Sequence, residues 1–168
     1  MAGAVALVWS VAGCVGGASG DPAPASPPST TVRQVLDARV VDLVEHRFPQ
    51  IITFHRNPIA CAARTFGTDP ETAADASDVS IAYAWLYCEE ELPGGGTGDQ
   101  ATVPVAAHLV GTPRVEAPSS GEVYPADVDR IFPRSLRGTA IKPPTYVADV
   151  ITAVANQRSA AAPAPSPS

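Results

Sequence analysis

Two cysteines, Cys61 and Cys88, each sit inside a segment with strand character, and together they constrain the fold more than any other feature. Ala60–Gly67 and Val79–Glu89 both look like strands, and an acidic stretch lies between them as their connection. Paired as an antiparallel hairpin, the two segments set Cys61 opposite Cys88. The same register places Arg64 by Trp85 and Phe66 by Tyr83. Whether the two sulfurs are bridged depends on the compartment, and the start of the chain bears on that.

Residues Ala2–Gly13 form an apolar run of signal-peptide length, roughly 7–15 residues, and too short for a spanning helix of about 20. It ends in Val11-Ala12-Gly13-Cys14, and Gly16, Gly17 and Gly20 follow, which disfavour a buried helix. This ending resembles the lipobox of bacterial lipoproteins. The resemblance implies that residues 1–13 are removed as a signal peptide. Cys14 is then lipidated and becomes the first residue of the mature chain. Since one acyl chain anchors only marginally, stable retention needs the further acylation that the lipoprotein pathway commonly supplies. In an exported chain the remaining pair, Cys61 and Cys88, reads as one disulfide. In the chain-entropy view a closed loop of that size stabilises by about 3.5 kcal/mol.

Residues 14–30 make a Pro/Ser/Gly-rich tether, extended around Asp21–Ser29, and 159–168 a tail of the same character that reads as disordered. The domain between them, 31–158, is long enough for one core. Lys142 is the only lysine, and the chain carries a formal charge of −6. That acidic balance disfavours nucleic acid as a partner. The expected partners are the membrane, through the lipid anchor, and an envelope protein or small ligand.

The first element is a helix. Thr31 and Gln34 make a capping box, and Val32, Val35, Leu36, Val40, Leu43 and Val44 recur at helical spacing until Pro49. Strand-like segments follow at Ile51–His55, Ala60–Gly67, Val79–Glu89, Ala101–Val110 and Arg114–Ala117. The Gly-rich stretch Pro93–Gly98 connects two of them. Pro125 suits the first residue of a short helix towards Phe132. A last helix, Thr145–Arg158, puts Val147, Val150, Ile151 and Val154 on one face. This order implies an α+β fold in which an N-terminal helix packs on a curved antiparallel sheet, with a C-terminal helix.

The runs Tyr83–Glu90, Val103-Pro104-Val105 and Tyr124–Pro133 resemble a pattern in small uncharacterised exported bacterial proteins. The resemblance implies a cystatin-like or NTF2-like roll and brings no known activity. Cystatin inhibitors use a Gln-x-Val-x-Gly hairpin, and Gln50–Phe54 lacks its glycine.

Chemistry is sparsely placed. Tyr83, Trp85 and Tyr87 alternate along one strand with Ile81, opposite Ala82, Ala84 and Leu86. They line either an apolar binding cavity or a second core layer under the C-terminal helix, and the packing reading is favoured. Residues 69–99 carry eight carboxylates and no Lys or Arg: Asp69, Glu71, Asp75, Asp78, Glu89, Glu90, Glu91 and Asp99. Glu89, Glu90 and Glu91, beside the aromatics, complete the candidate ligand-binding set, and the acidic stretch could meet a cation or a basic partner. His46, His55 and His108 lack the spacing of metal ligands. No catalytic set, metal site or cofactor motif is nominated. The expected function is a membrane-anchored, non-catalytic binding module. The alternatives are a small NTF2-like hydrolase or isomerase, drawing on Glu89, Asp127 or His108, and a structural envelope spacer.

Overall fold

The computed structural model describes residues 28–52, 56–94, 96–142 and 152. The expected lipid site Cys14, His55 and all of the Thr145–Arg158 helix except Thr152 lie outside them. Helix α1, Thr30–Arg47, starts two residues earlier than the capping box implies. Ser29, the last residue of the proline-rich stretch, is its N-cap, and its Oγ accepts from the Val32 N–H at 3.4 Å. Val32, Leu36, Val40, Leu43 and Val44 are buried along one stripe, whereas Val35 turns outward and is 46% exposed. After α1, Ile51 N–H bonds Phe48 O and Ile52 N–H bonds Pro49 O. These amides are engaged in a 3-10 turn, Pro49–Ile51, so the expected strand does not form over Ile51–Ile52. Ile52 plugs the core instead.

Four strands then meander in sequence order: β1 (Ile59–Asp69), β2 (Ile81–Glu91), β3 (Thr97–His108) and β4 (Arg114–Glu116), each antiparallel to the next. β2 and β3 continue into the Gly-rich connection because Leu92 N–H closes the hairpin on Gly96 O, with Gly94 at φ +93° in its turn. Cys61 faces Cys88 and Arg64 faces Trp85. A β-bulge between Thr65 and Gly67 then shifts the register, so Gly67, not Phe66, faces Tyr83. A side chain at Gly67 would collide with Leu136, whose Cδ1 lies 2.5 Å from the position of a Cβ.

The sheet is buried on both faces. On one, α1 covers Cys61, Ala82, Ala84, Leu86, Cys88, Val105 and Val115. The small side chains of β2 let the helix approach closely. On the other, the second layer is supplied by α2 (Tyr124–Ile131, with Pro125 in its first turn) and α3 (Arg137–Ile141). They set Val128, Phe132, Leu136 and Ala140 against Phe66, Tyr83, Trp85 and Ala106. The fold is α+β: a helix on a four-stranded antiparallel sheet, with helices at its C-terminal side.

Candidate functional site

Tyr83, Trp85 and Tyr87 are each 4% exposed. The Phe132 ring lies 5.8 Å from that of Tyr83 and 6.1 Å from that of Phe66. Trp85 Nε1–H donates to Thr139 O at 3.0 Å, and Tyr87 Oη–H donates to Glu89. The polar tips of Trp85 and Tyr87 are therefore satisfied by the protein itself, as a packed aromatic layer requires.

The acidic stretch does not converge. Asp69, Glu71, Asp75 and Asp78 lie at or just beyond one end of the β1–β2 hairpin, while Glu89–Glu91 and Asp99 lie at the other. Ten residues of strand, about 33 Å, separate the two ends. Glu90 is buried and fastens the chain leading into β1. It accepts the Arg56 N–H at 2.7 Å, the Asn57 N–H at 3.0 Å and Asn57 Nδ2–H at 2.9 Å. These donors, led by the Arg56 amide, hold its carboxyl below the usual range. Gly98 gives it room: a Cβ there would meet Glu90 Oε2 at 2.5 Å. Glu91 is exposed. No group of three His, Cys, Asp or Glu among the described residues could hold a metal ion.

Two carboxylates that the sequence did not single out close one side of the sheet. Asp37 accepts from Thr65 N–H at 2.6 Å and from Thr65 Oγ1–H at 2.7 Å, and Glu45 accepts from Cys61 N–H at 2.6 Å. These amides face away from β2, as the 4.1 Å Cα–Cα distance of the Cys61–Cys88 pair also implies. From Asp37 to Glu45 the helix rises about 12 Å. From Thr65 back to Cys61 the strand spans about 13 Å. The two elements are commensurate, so α1 covers the outer edge of β1. Burial pushes both carboxyls up, against the bonds they accept.

A second polar network joins β4 to α2. Glu116 accepts from His108 at 3.0 Å, Arg114 at 3.2 Å and Arg130 at 3.1 Å. Asp127 takes the Ser119 N–H at 2.9 Å and pairs with Arg130 at 3.1 Å. Burial acts to raise Glu116, but Arg114, Arg130 and His108 outweigh it and hold the carboxyl low. Asp127 is also low, first through the Ser119 amide.

Open space flanks β3. A groove of about 650 Å³ separates α1 from the β3–β4 connection, lined by Val35, Ala38, Arg39, Leu43, Leu109 and Pro113 among others. Another, of about 290 Å³, runs beside Ala101–Pro104 and is lined besides by Ile51, Ile52, Ala117–Ser120 and Tyr124. Neither is lined by Tyr83, Trp85, Tyr87 or Glu89–Glu91. Pro104, inside a strand, was the available signal for the second groove, since proline sits at strand edges. No protein-family model, no curated protein and no solved structure matches this chain.

Proposed function

We propose that the chain is an extracytoplasmic lipoprotein, anchored through Cys14 and held off the membrane by the residues that precede the Ser29 cap, whose domain acts as a non-catalytic interaction module. The observation that carries this reading is the Cys61–Cys88 disulfide, fully buried under α1. Such bonds persist in oxidising compartments, which agrees with export through the Val11–Cys14 motif. We read the fold as a cystatin-like or NTF2-like roll, because one long helix precedes a consecutive antiparallel meander and lies across it.

The enzymatic alternative draws on Glu89, His108 and Asp127. Glu89 and His108 lie opposite Gln100 and Ile81, eight residues apart along β2, or about 26 Å. Glu89 bonds Tyr87, His108 bonds Glu116, and Asp127 bonds Ser119 and Arg130. That separation sets Glu89 apart from His108, while His108 and Asp127 share the Glu116–Arg130 network and are each engaged in it, which favours binding over acid/base chemistry by these three. A plain spacer has no use for a groove between α1 and the β3–β4 connection or for another beside Ala101–Pro104. Fractionation of cells expressing Cys14→Ala tests the anchor: the variant is expected to leave the membrane for the medium. Retention in the membrane fraction, unprocessed, overturns it.

A further inference from the structure

β4 pairs only with Ala106, Ala107 and His108, although β3 begins at Thr97. Among the described residues no strand pairs with Gln100–Pro104 on the side away from β2. The direction of each backbone group follows from the ladder. Leu109 N–H donates to Ser80 O, and the β2–β3 register is unbroken from Ile81–His108 to Glu89–Gln100. With alternation of period two, Ala101 and Val103 face β2, while Gln100, Thr102 and Pro104 face outward. The outer edge thus offers N–H and C=O of Gln100, N–H and C=O of Thr102, and C=O of Pro104. Pro104 has no N–H to leave unpaired there.

This edge is recessed. The 290 Å³ groove runs along Ala101–Pro104 and is lined besides by Ile51, Ile52, Ala117–Ser120 and Tyr124. An unpaired strand edge in a recess lined by Ile51, Ile52, Pro118 and Tyr124, with Ser119 and Ser120 beside them, is what main-chain peptide recognition uses: the backbone supplies affinity, and alternate side chains meet the lining. The recess also selects the occupant. A second copy would bring its own lining against this one and could not seat its edge, whereas a single extended chain fits. Exposed carboxylates mark the surroundings: Asp99 precedes Gln100, and Glu122 lies between Ser120 and Tyr124 in a chain of net charge −6. A basic segment is therefore preferred.

We propose that the outer edge of β3 over Gln100–Pro104 is a strand-addition site, taking an extended, basic peptide segment of a partner protein into the groove lined by Ile51, Ile52, Ala117–Ser120 and Tyr124. This names the site and the partner chemistry for the interaction module proposed above, and it rests on that reading.

The probe is a blocked heptapeptide, Arg-Val-Thr-Val-Thr-Val-Arg, added to the full-length chain while amide–solvent exchange is followed by NMR. Exchange of the Gln100 and Thr102 amides is expected to slow about tenfold at about 1 mM peptide, as mass action gives for a dissociation constant of about 0.1 mM. An analogue with Glu in place of Arg is expected to protect less. Thr102→Pro removes an outward donor without touching the ladder to β2, and is expected to abolish the protection. Ser120→Trp fills the groove without touching any strand and is expected to do the same, which covers the case that the proline variant misfolds. Unchanged exchange at about 1 mM peptide overturns the proposal. So does protection that survives both variants, or protection that appears with protein concentration alone and marks self-association. The measurement does not depend on Cys14. A Cys14→Ala chain that stays in the membrane removes the anchor reading and leaves the strand-addition site standing, and the converse also holds.

Discussion

The two outer edges of this sheet meet the rest of the chain in opposite ways. Along β1, the outward amides of Cys61 and Thr65 are taken by Glu45 and Asp37, because α1 is long enough and its rise matches the strand. Along β3, the covering strand β4 is three residues long, and the outward groups of Thr102 and Pro104 meet a groove. Closing an edge needs a neighbour of commensurate length, and among the described residues only one side of this sheet has one. Exposed strand edges invite pairing, so a fold that seals one and recesses the other confines such pairing to one place.

The largest effect is expected where both edges depend on the same core. Trp85 stands in the central strand, its ring in the second layer and its indole N–H bonded to Thr139 O. Trp85→Ala is expected to cost about 3–5 kcal/mol, read as a large fall in melting temperature. A variant that keeps its melting temperature would show Trp85 lining a binding cavity instead.

Next comes the sealed edge. Asp37→Ala leaves the Thr65 amide and hydroxyl facing α1 without their acceptor, at a cost of about 1–3 kcal/mol. Asp37→Asn keeps an acceptor and is expected to lose less. Denaturant unfolding of the three chains checks this order. If Asp37→Ala unfolds at the wild-type midpoint, the carboxylate does not hold the edge.

The carboxyls also divide by pH. Burial raises Asp37 and Glu45 in the folded state, so their favourable contribution is complete below their unfolded values and lost as pH rises through the raised ones. Glu90, Glu116 and Asp127 are lowered, so theirs is present above the unfolded values and lost as pH falls through the folded ones. From about pH 7 to about pH 4, the wild type is expected to gain stability relative to Asp37→Asn and to lose it relative to Glu90→Gln. Unfolding midpoints across that range decide it, and slopes of the same sign for the two variants would break the distinction.

Much of the frame was legible in the chain. Small residues alternating with aromatics in Ala82–Tyr87 told which side of β2 the helix covers, and the Cys61–Cys88 and Arg64–Trp85 pairings follow from one hairpin register. What escaped depends on tertiary placement. One extra residue at the Thr65/Gly67 bulge leaves no mark on a short strand pattern, so Phe66 was set opposite Tyr83. Ser29 read as part of the tether because prolines surround it. Ile51 and Ile52 have strand composition, yet the turn after Pro49 engages their amides. A carboxylate on a helix reads as solvated, and only the match of helix and strand rise shows Asp37 and Glu45 at an edge. Eight acidic residues close in sequence looked like one cluster, but a hairpin sends its two ends apart.

The smallest effect is expected at the open edge, and it tests the comparison most directly. Thr102 is exposed, lies opposite Tyr87 in the ladder, and directs its N–H away from β2. Thr65 has its N–H and hydroxyl both held by Asp37, whereas neither group of Thr102 forms a hydrogen bond among the described residues. Thr102→Val keeps the β-branched shape and removes only the hydroxyl. It is therefore expected to change stability by no more than about 0.5 kcal/mol, while Thr65→Val, which takes a buried donor from Asp37, costs about 1–3 kcal/mol. Paired urea unfolding curves measure the difference. Equal losses at the two threonines would mean that the β3 edge is held as firmly as the β1 edge, and the asymmetry of the sheet would fall with it.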